Sequence, residues 1–212
     1  MIHRILKQCL VTCLLFGASL LALPALAADE AADALIKRLS TEVLDTIRAD
    51  KSIQAGDVGR IVTLVDTKIM PNVNFQRMTA SAVGPAWRQA TPDQQKRLLD
   101  EFKTLLVRTY AGALTQIVDQ TIVVKPLRAS PEDKEVVVRS EVKGQGDAIQ
   151  LEYRLEKTPG EGAGWKIYNL NVLGVWLVET YRSQFAQEIN ARGLNGLITT
   201  LSERNKANAK KG

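Results

Sequence analysis

The sequence predicts an α+β fold built on a four-stranded antiparallel meander, and three observations carry that expectation. Apolar residues recur at helical spacing as far as Ile117, the period falls to two between Thr121 and Val172, and helical spacing returns after Gly174. Helices first, sheet next and helices last is the order of a segregated α+β domain, not of an alternating one.

Residues 1–27 read as a secretory signal peptide. His3, Arg4 and Lys7 make a basic start, Cys9 to Leu23 is an uncharged apolar run, and Ala25-Leu26-Ala27 is a small-residue cleavage site. Cleavage after Ala27 leaves a single α+β domain over 28–201 and a basic tail over 202–212 that is expected to fray. Both cysteines and the only histidine lie inside the leader. An exported chain without cysteine has no disulfides and must be stable through packing alone. Cys/His nucleophiles, Ser-His-Asp triads and the usual zinc sites are excluded with them. The chain carries 28 Lys and Arg against 23 Asp and Glu, and Arg4 and Lys7 leave with the leader. So weak a positive balance suits an anionic lipid surface but is too small to argue for nucleic acid.

From Ala28 to Asp50, the stripe Leu35, Leu39, Val43 and Ile47 predicts a first amphipathic helix. Val58, Ile61, Val62, Val65 and Ile69 repeat the pattern until Pro71, which cannot continue the hydrogen-bond ladder. Asn74 is placed to cap a short turn carrying Phe75 and Met78, and Gly84-Pro85 punctuates before Trp87. Thr91-Pro92-Asp93-Gln94 is a capping box with proline at the first helical position. It starts a long helix whose apolar face runs through Leu98, Phe102, Leu105, Leu106, Tyr110, Leu114 and Ile117. Thr121–Leu127 and Glu135–Lys143 are β-branched runs, and Ile149, Leu151, Tyr153 and Leu155 alternate with polar residues. Trp165–Val172 is the last strand. Short connections rich in turn residues make the four an antiparallel meander, with Pro126 marking the first as an edge. After Gly174, Val175, Val178, Tyr181, Phe185 and Ile189 line a helix. A second follows Gly193 with Leu194, Leu197, Ile198 and Leu201. Whether the space between sheet and helices is solid core or a pocket is left open by the periodicity.

Little in the chain offers chemistry. Gly160 to Gly164 is glycine-rich but lies between two strands, where it is a turn and not a phosphate loop. Asp66, Asp100, Glu101, Asp119 and Glu179 sit among helix surface positions, the ordinary place for a solvated carboxylate. Tyr110, Tyr168 and Tyr181 join an apolar body to a polar tip, which fits a pocket mouth or a core boundary equally.

With these residues laid out, the chain resembles the MlaC family, the periplasmic phospholipid carriers also called toluene-tolerance auxiliary proteins. The likeness covers nearly all of the chain after the leader. Its strongest parts are Val65–Phe75, Gly84–Pro92, Phe102 with Leu105–Ala111, Trp165–Tyr168, Gly174-Val175, Tyr181–Phe185 and Gly193–Leu197. The chain departs from the family pattern at Asn74, Asn169, Leu173 and Trp176. The resemblance implies a curved sheet packed by the helices and enclosing an apolar cavity that holds acyl chains. On it, the lipid-binding residues are expected to be Phe75, Val83, Trp87, Phe102, Leu106 and Tyr110 from the helices before the sheet. Val138, Leu151, Tyr153, Trp165, Ile167 and Leu170 come from the strands, and Val175, Val178 and Tyr181 from the helix after it.

The resemblance further implies a non-enzymatic carrier without cofactor or metal, its bound phospholipid being cargo. It implies passage of lipid between an outer-membrane lipoprotein-porin complex and an inner-membrane ABC transporter carrying MCE domains, in maintenance of outer-membrane lipid asymmetry. Two other classes stand beside it. One is a ligand-free envelope interaction module with a solid core. The other is a ketosteroid-isomerase-like enzyme on a cone-shaped scaffold, in which an aspartate and a tyrosine would converge.

Overall fold

The structure is a computed structural model that describes residues 30–116, 119–130 and 132–209. The expected signal peptide and the last residues of the basic tail therefore lie outside the described residues. Helix α1 spans Ala32–Ala49 and buries Leu35, Ile36, Leu39, Leu44 and Ile47 along one side. Asp50 caps the short α2, Lys51–Gln54, and Asp57 caps α3, Val58–Leu64. Helix α3 then widens into a π-helical turn, Val65–Ile69, and tightens into a 3-10 turn, Met70–Asn72, that contains Pro71. Asn74 accepts from the Arg77 amide to cap α4, Phe75–Val83. A further 3-10 segment, Gly84–Gln89, leads to α5, Pro92–Thr115, where the Thr91–Gln94 capping box is fully formed.

The sheet is an antiparallel meander in sequence order, and it has five strands instead of four. They are β1 Thr121–Val124, β2 Glu135–Lys143, β3 Ile149–Lys157, β4 Trp165–Val172 and β5 Val175–Trp176. As Pro126 predicts, β1 is an edge, and it stops before that proline. The fifth strand corrects the expectation that the last helix begins at Val175: Val172 pairs with Val175 and Asn171 with Trp176, so the chain turns back for two residues first. Helix α6 follows from Leu177 to Ala209 with a break at Gly193, where φ is 68°. The tail does not fray from Ser202. Leu201 and Asn205 are buried, Asn205 Nδ2 donates to the Glu101 carbonyl, and Arg108 donates to the Asn205 carbonyl.

Strand β4 contains a bulge. Leu155 pairs with Ile167 but Arg154 pairs with Asn169, which leaves Tyr168 as the extra residue. The alternation is thereby reset, so that Ile167 and Leu170 face the same side. Asn169 is turned to the other face, where it is 1% exposed, donates to Glu179 and accepts from the Val178 amide. It ties the start of α6 to the sheet. Arg154 pairs with Glu179 and lies over the Trp176 ring, 3.9 Å from its centroid. Burial works against the Glu179 carboxylate, but the bonds from Asn169 and Arg154 outweigh it and hold the group below the usual carboxylate range.

The β4–β5 hairpin turns on Leu173 and Gly174, both with positive φ, 52° and 87°. A two-residue turn of this hand is best served by Asn-Gly, and a leucine held there costs about 1–2 kcal/mol. Leu173 is also 63% exposed, so its side chain returns little of that cost. Leu173→Asn is expected to raise the unfolding midpoint by about 2–4 °C, on the scale of about 1 kcal/mol for a chain of this size. Thermal unfolding followed by circular dichroism checks it, and a fall would show that the leucine is held by contacts the turn geometry does not reveal.

Candidate functional site: an apolar cavity between sheet and helices

Three packed clusters surround a space that none of them fills. Phe102, Leu105, Val178, Tyr181, Phe185 and their neighbours join α4, α5 and α6. Leu35, Ile36, Val136, Val138, Leu155 and Trp165 pack the first half of α1 onto the sheet. Ile47, Ile53, Ile61, Leu64 and Val107 join the second half of α1 to α2, α3 and α5. Between them lies a cavity of about 340 Å³. Helix α1 gives it Leu39, Val43, Leu44 and Ile47, and the π-helical and 3-10 turns give Val65, Ile69 and Met70. Helix α5 supplies Lys103, Leu106, Val107, Tyr110 and Leu114, while Ile122, Val142, Leu151, Tyr153, Ile167 and Leu170 form the sheet side.

Of the residues expected from the sequence, Phe75, Leu106, Tyr110, Leu151, Tyr153, Ile167 and Leu170 come together on this wall. Eight do not. Val83, Trp87, Phe102, Val178 and Tyr181 belong to the packed α4–α5–α6 cluster, and Val138 and Trp165 to the layer under α1. Val175 lies in β5 and is 53% exposed. Periodicity marks a buried face but does not distinguish a face against another helix from a face against a void. Periodicity leaves the α1 wall and the π-helical turn unassigned for the same reason, although the stripes that carry them are plain in the sequence.

Polar groups on the wall are few. Tyr153 is hydrogen-bonded to Ser140 and Ser40, joining sheet to α1 across the cavity floor, and burial pushes its hydroxyl up so that it stays neutral. Tyr110 is the most exposed wall residue at 37%, and burial of its ring side raises its hydroxyl as well. Lys103 is the one charged residue among the described wall residues, its ammonium 2.9 Å from Asp66 Oδ1. Among the described residues, no group of three or more His, Cys, Asp or Glu stands where it could hold a metal ion.

A second, wider cleft of about 900 Å³ lies between the Gly56–Gly59 turn, α5 and the C-terminal end of α6. It is larger, but Asp57, Arg108, Thr109 and Asn208 put charged and polar groups on its wall, and none of the residues expected from the sequence lines it. An acyl chain is sequestered by apolar enclosure, so the smaller cavity is the candidate site.

A family profile described as MlaC protein matches residues 37–203. The toluene tolerance protein ttg2D of Pseudomonas putida is 28% identical over 169 residues, covering 79% of this chain and 76% of that one. The intermembrane phospholipid transport system binding protein MlaC of Haemophilus influenzae is 22% identical over 170 residues, 80% of this chain and 79% of its own. Among solved structures, the phospholipid-binding protein of Ralstonia solanacearum, in complex with a phospholipid, is 46% identical with a TM-score of 0.80. That match covers 84% of this chain and 98% of the other.

Proposed function

We infer, from the premise that this chain belongs to the MlaC family, that it is a periplasmic phospholipid carrier. In this reading it moves lipid between an outer-membrane lipoprotein-porin complex and an inner-membrane MCE-domain transporter, and so maintains the lipid asymmetry of the outer membrane. The observation that carries the reading is the cavity itself, lined almost wholly by apolar groups in a chain whose structural relative is seen with a phospholipid bound.

The physical need is plain. Burying a methylene is worth about 0.8 kcal/mol, so two acyl chains of roughly 15 methylenes represent on the order of 24 kcal/mol between water and oil. A phospholipid does not cross an aqueous compartment at a useful rate unaccompanied. A carrier needs only an interior nearly as apolar as the bilayer, so that loading is close to neutral, and no bond is made or broken. Pockets for drug-sized ligands run from about 300 to 1,000 Å³. At about 340 Å³ the cavity lies at the small end of that range. No helix among the described residues is long and apolar enough to cross a membrane; in this reading the chain works in the aqueous space between the two membranes.

Mass spectrometry of an organic extract tests the inference directly. Protein purified without detergent is expected to release intact phospholipid, and lipid exchanged with vesicles is expected to leave chemically unchanged. An extract without lipid would return the chain to the solid-core class, and hydrolysed lipid accumulating with time would make it an enzyme.

A further inference from the structure

Helix α5 presents Lys103, Leu106, Val107, Tyr110 and Leu114 to the cavity at steps of three and four. A lysine in such a stripe ordinarily points to water. Here its side chain is 33% exposed and its ammonium is bonded to Asp66, itself 42% exposed. Asp66 is carried on the π-helical turn whose Val65 and Ile69 also reach the wall. Lys103 is thus the one charged residue among the described lining residues, and its partner Asp66, exposed beside the lining and not part of it, makes the pair net neutral. An ammonium has three donors and Asp66 uses one of them, while a carboxylate accepts from several directions at once.

We propose that Lys103 and Asp66 form a headgroup station that selects zwitterionic phosphodiester lipids by exchange of ion pairs. The proposal rests on the carrier reading. On loading, a phosphodiester oxygen accepts from the Lys103 ammonium and the amine of the headgroup donates to the Asp66 carboxylate. Two charges of each sign are then paired, and the wall remains neutral. An anionic headgroup without an amine leaves Asp66 facing the lipid phosphate with no cation of its own, which disfavours it. A diacylglycerol brings neither charge and leaves the pair as it stands. The dimensions agree. From Lys103 to Leu114 the helix advances about 16 Å at about 1.5 Å per residue. One leaflet of a bilayer core of about 30 Å is about 15 Å deep, so a chain whose phosphate is at Lys103 ends near Leu114.

The test uses the delipidated full-length chain after signal cleavage, equilibrated with vesicles of equal phosphatidylethanolamine, phosphatidylglycerol and diacylglycerol of the same acyl chains. The lipid taken up is then quantified by mass spectrometry. Wild-type protein is expected to favour phosphatidylethanolamine over phosphatidylglycerol by about threefold, the scale of a partly exposed ion pair. Asp66→Asn is expected to bring that ratio to the vesicle value. Lys103→Met is expected to lower phospholipid relative to diacylglycerol by about fivefold, and Lys103→Arg to restore most of it. Partly exposed pairs contribute little to stability, so the variants are expected to melt close to wild type. Variants that load in wild-type proportions overturn the proposal alone. Wild-type protein that takes up no phospholipid removes the carrier reading and the station with it. Inorganic phosphate that competes for Lys103 as well as the intact lipid does would make this a free-anion site and overturn its assignment to a headgroup.

Discussion

Phe102→Ala is expected to destabilise the delipidated protein by about 3–5 kcal/mol, the range for deleting a fully buried phenyl ring. Phe102 is 1% exposed at the centre of the α4–α5–α6 cluster. Its ring stacks on Phe75 at 5.7 Å and meets Tyr181 and Phe185 edge-on at 5.0 and 5.2 Å. Aromatic pairs of this geometry contribute about 0.5–1.5 kcal/mol beyond the area they bury, and all three are lost together. At about 2–4 °C per kcal/mol the midpoint is expected to fall by on the order of 10 °C, measured by thermal or denaturant unfolding after lipid removal. A loss below about 1 kcal/mol would mean that the site collapses freely, and that the cluster separating α6 from the cavity is not close-packed.

Where the chain's own neighbours in sequence decide the outcome, the structure follows the sequence reading closely. The Thr91–Gln94 box, the Asn74 cap, the edge position of β1 and the break at Gly193 are all local in origin. What the sequence does not carry depends on distant partners. The tail is polar and basic by composition, yet it is helical to Ala209 because Asn205 finds Glu101 and Arg108 on α5. The two-residue β5 is too short for any periodicity to register, so helical spacing takes in Val175 although the helix begins two residues later.

The cavity divides along the same line. On the sheet, Leu151 and Tyr153 reach it by simple alternation, but Ile167 and Leu170 share a face only because Tyr168 is bulged out between them. On α5, Leu98, Phe102 and Leu105 pack into the α4–α6 cluster while Leu106, Tyr110 and Leu114 meet the void. One broad apolar face thus serves two environments. Lys103, between Leu99 and Leu106 in that face, was the visible sign of where the second begins.

Leu151→Trp is expected to abolish most phospholipid loading while leaving the delipidated protein nearly as stable as wild type. Leu151 is half-buried on β3, opposite Ser140 on β2 and Val172 on β4, and its side chain lines the cavity. In a filled core an added ring forces neighbours from their rotamers and typically costs about 1–3 kcal/mol. Here the space in front of Leu151 belongs to the cavity, so the indole is accommodated, but at the expense of the volume the acyl chains need. At about 340 Å³ the cavity has little to spare. The comparison has to be made on delipidated protein, because a ligand bound only to the native state raises the apparent midpoint by itself. Lipid content by mass spectrometry and unfolding by circular dichroism, measured on the same preparations, separate the two outcomes. A variant that melts many degrees lower after delipidation yet extracts a full load from vesicles would place Leu151 in the packed core. The sheet side of the lipid site would then have to lie elsewhere.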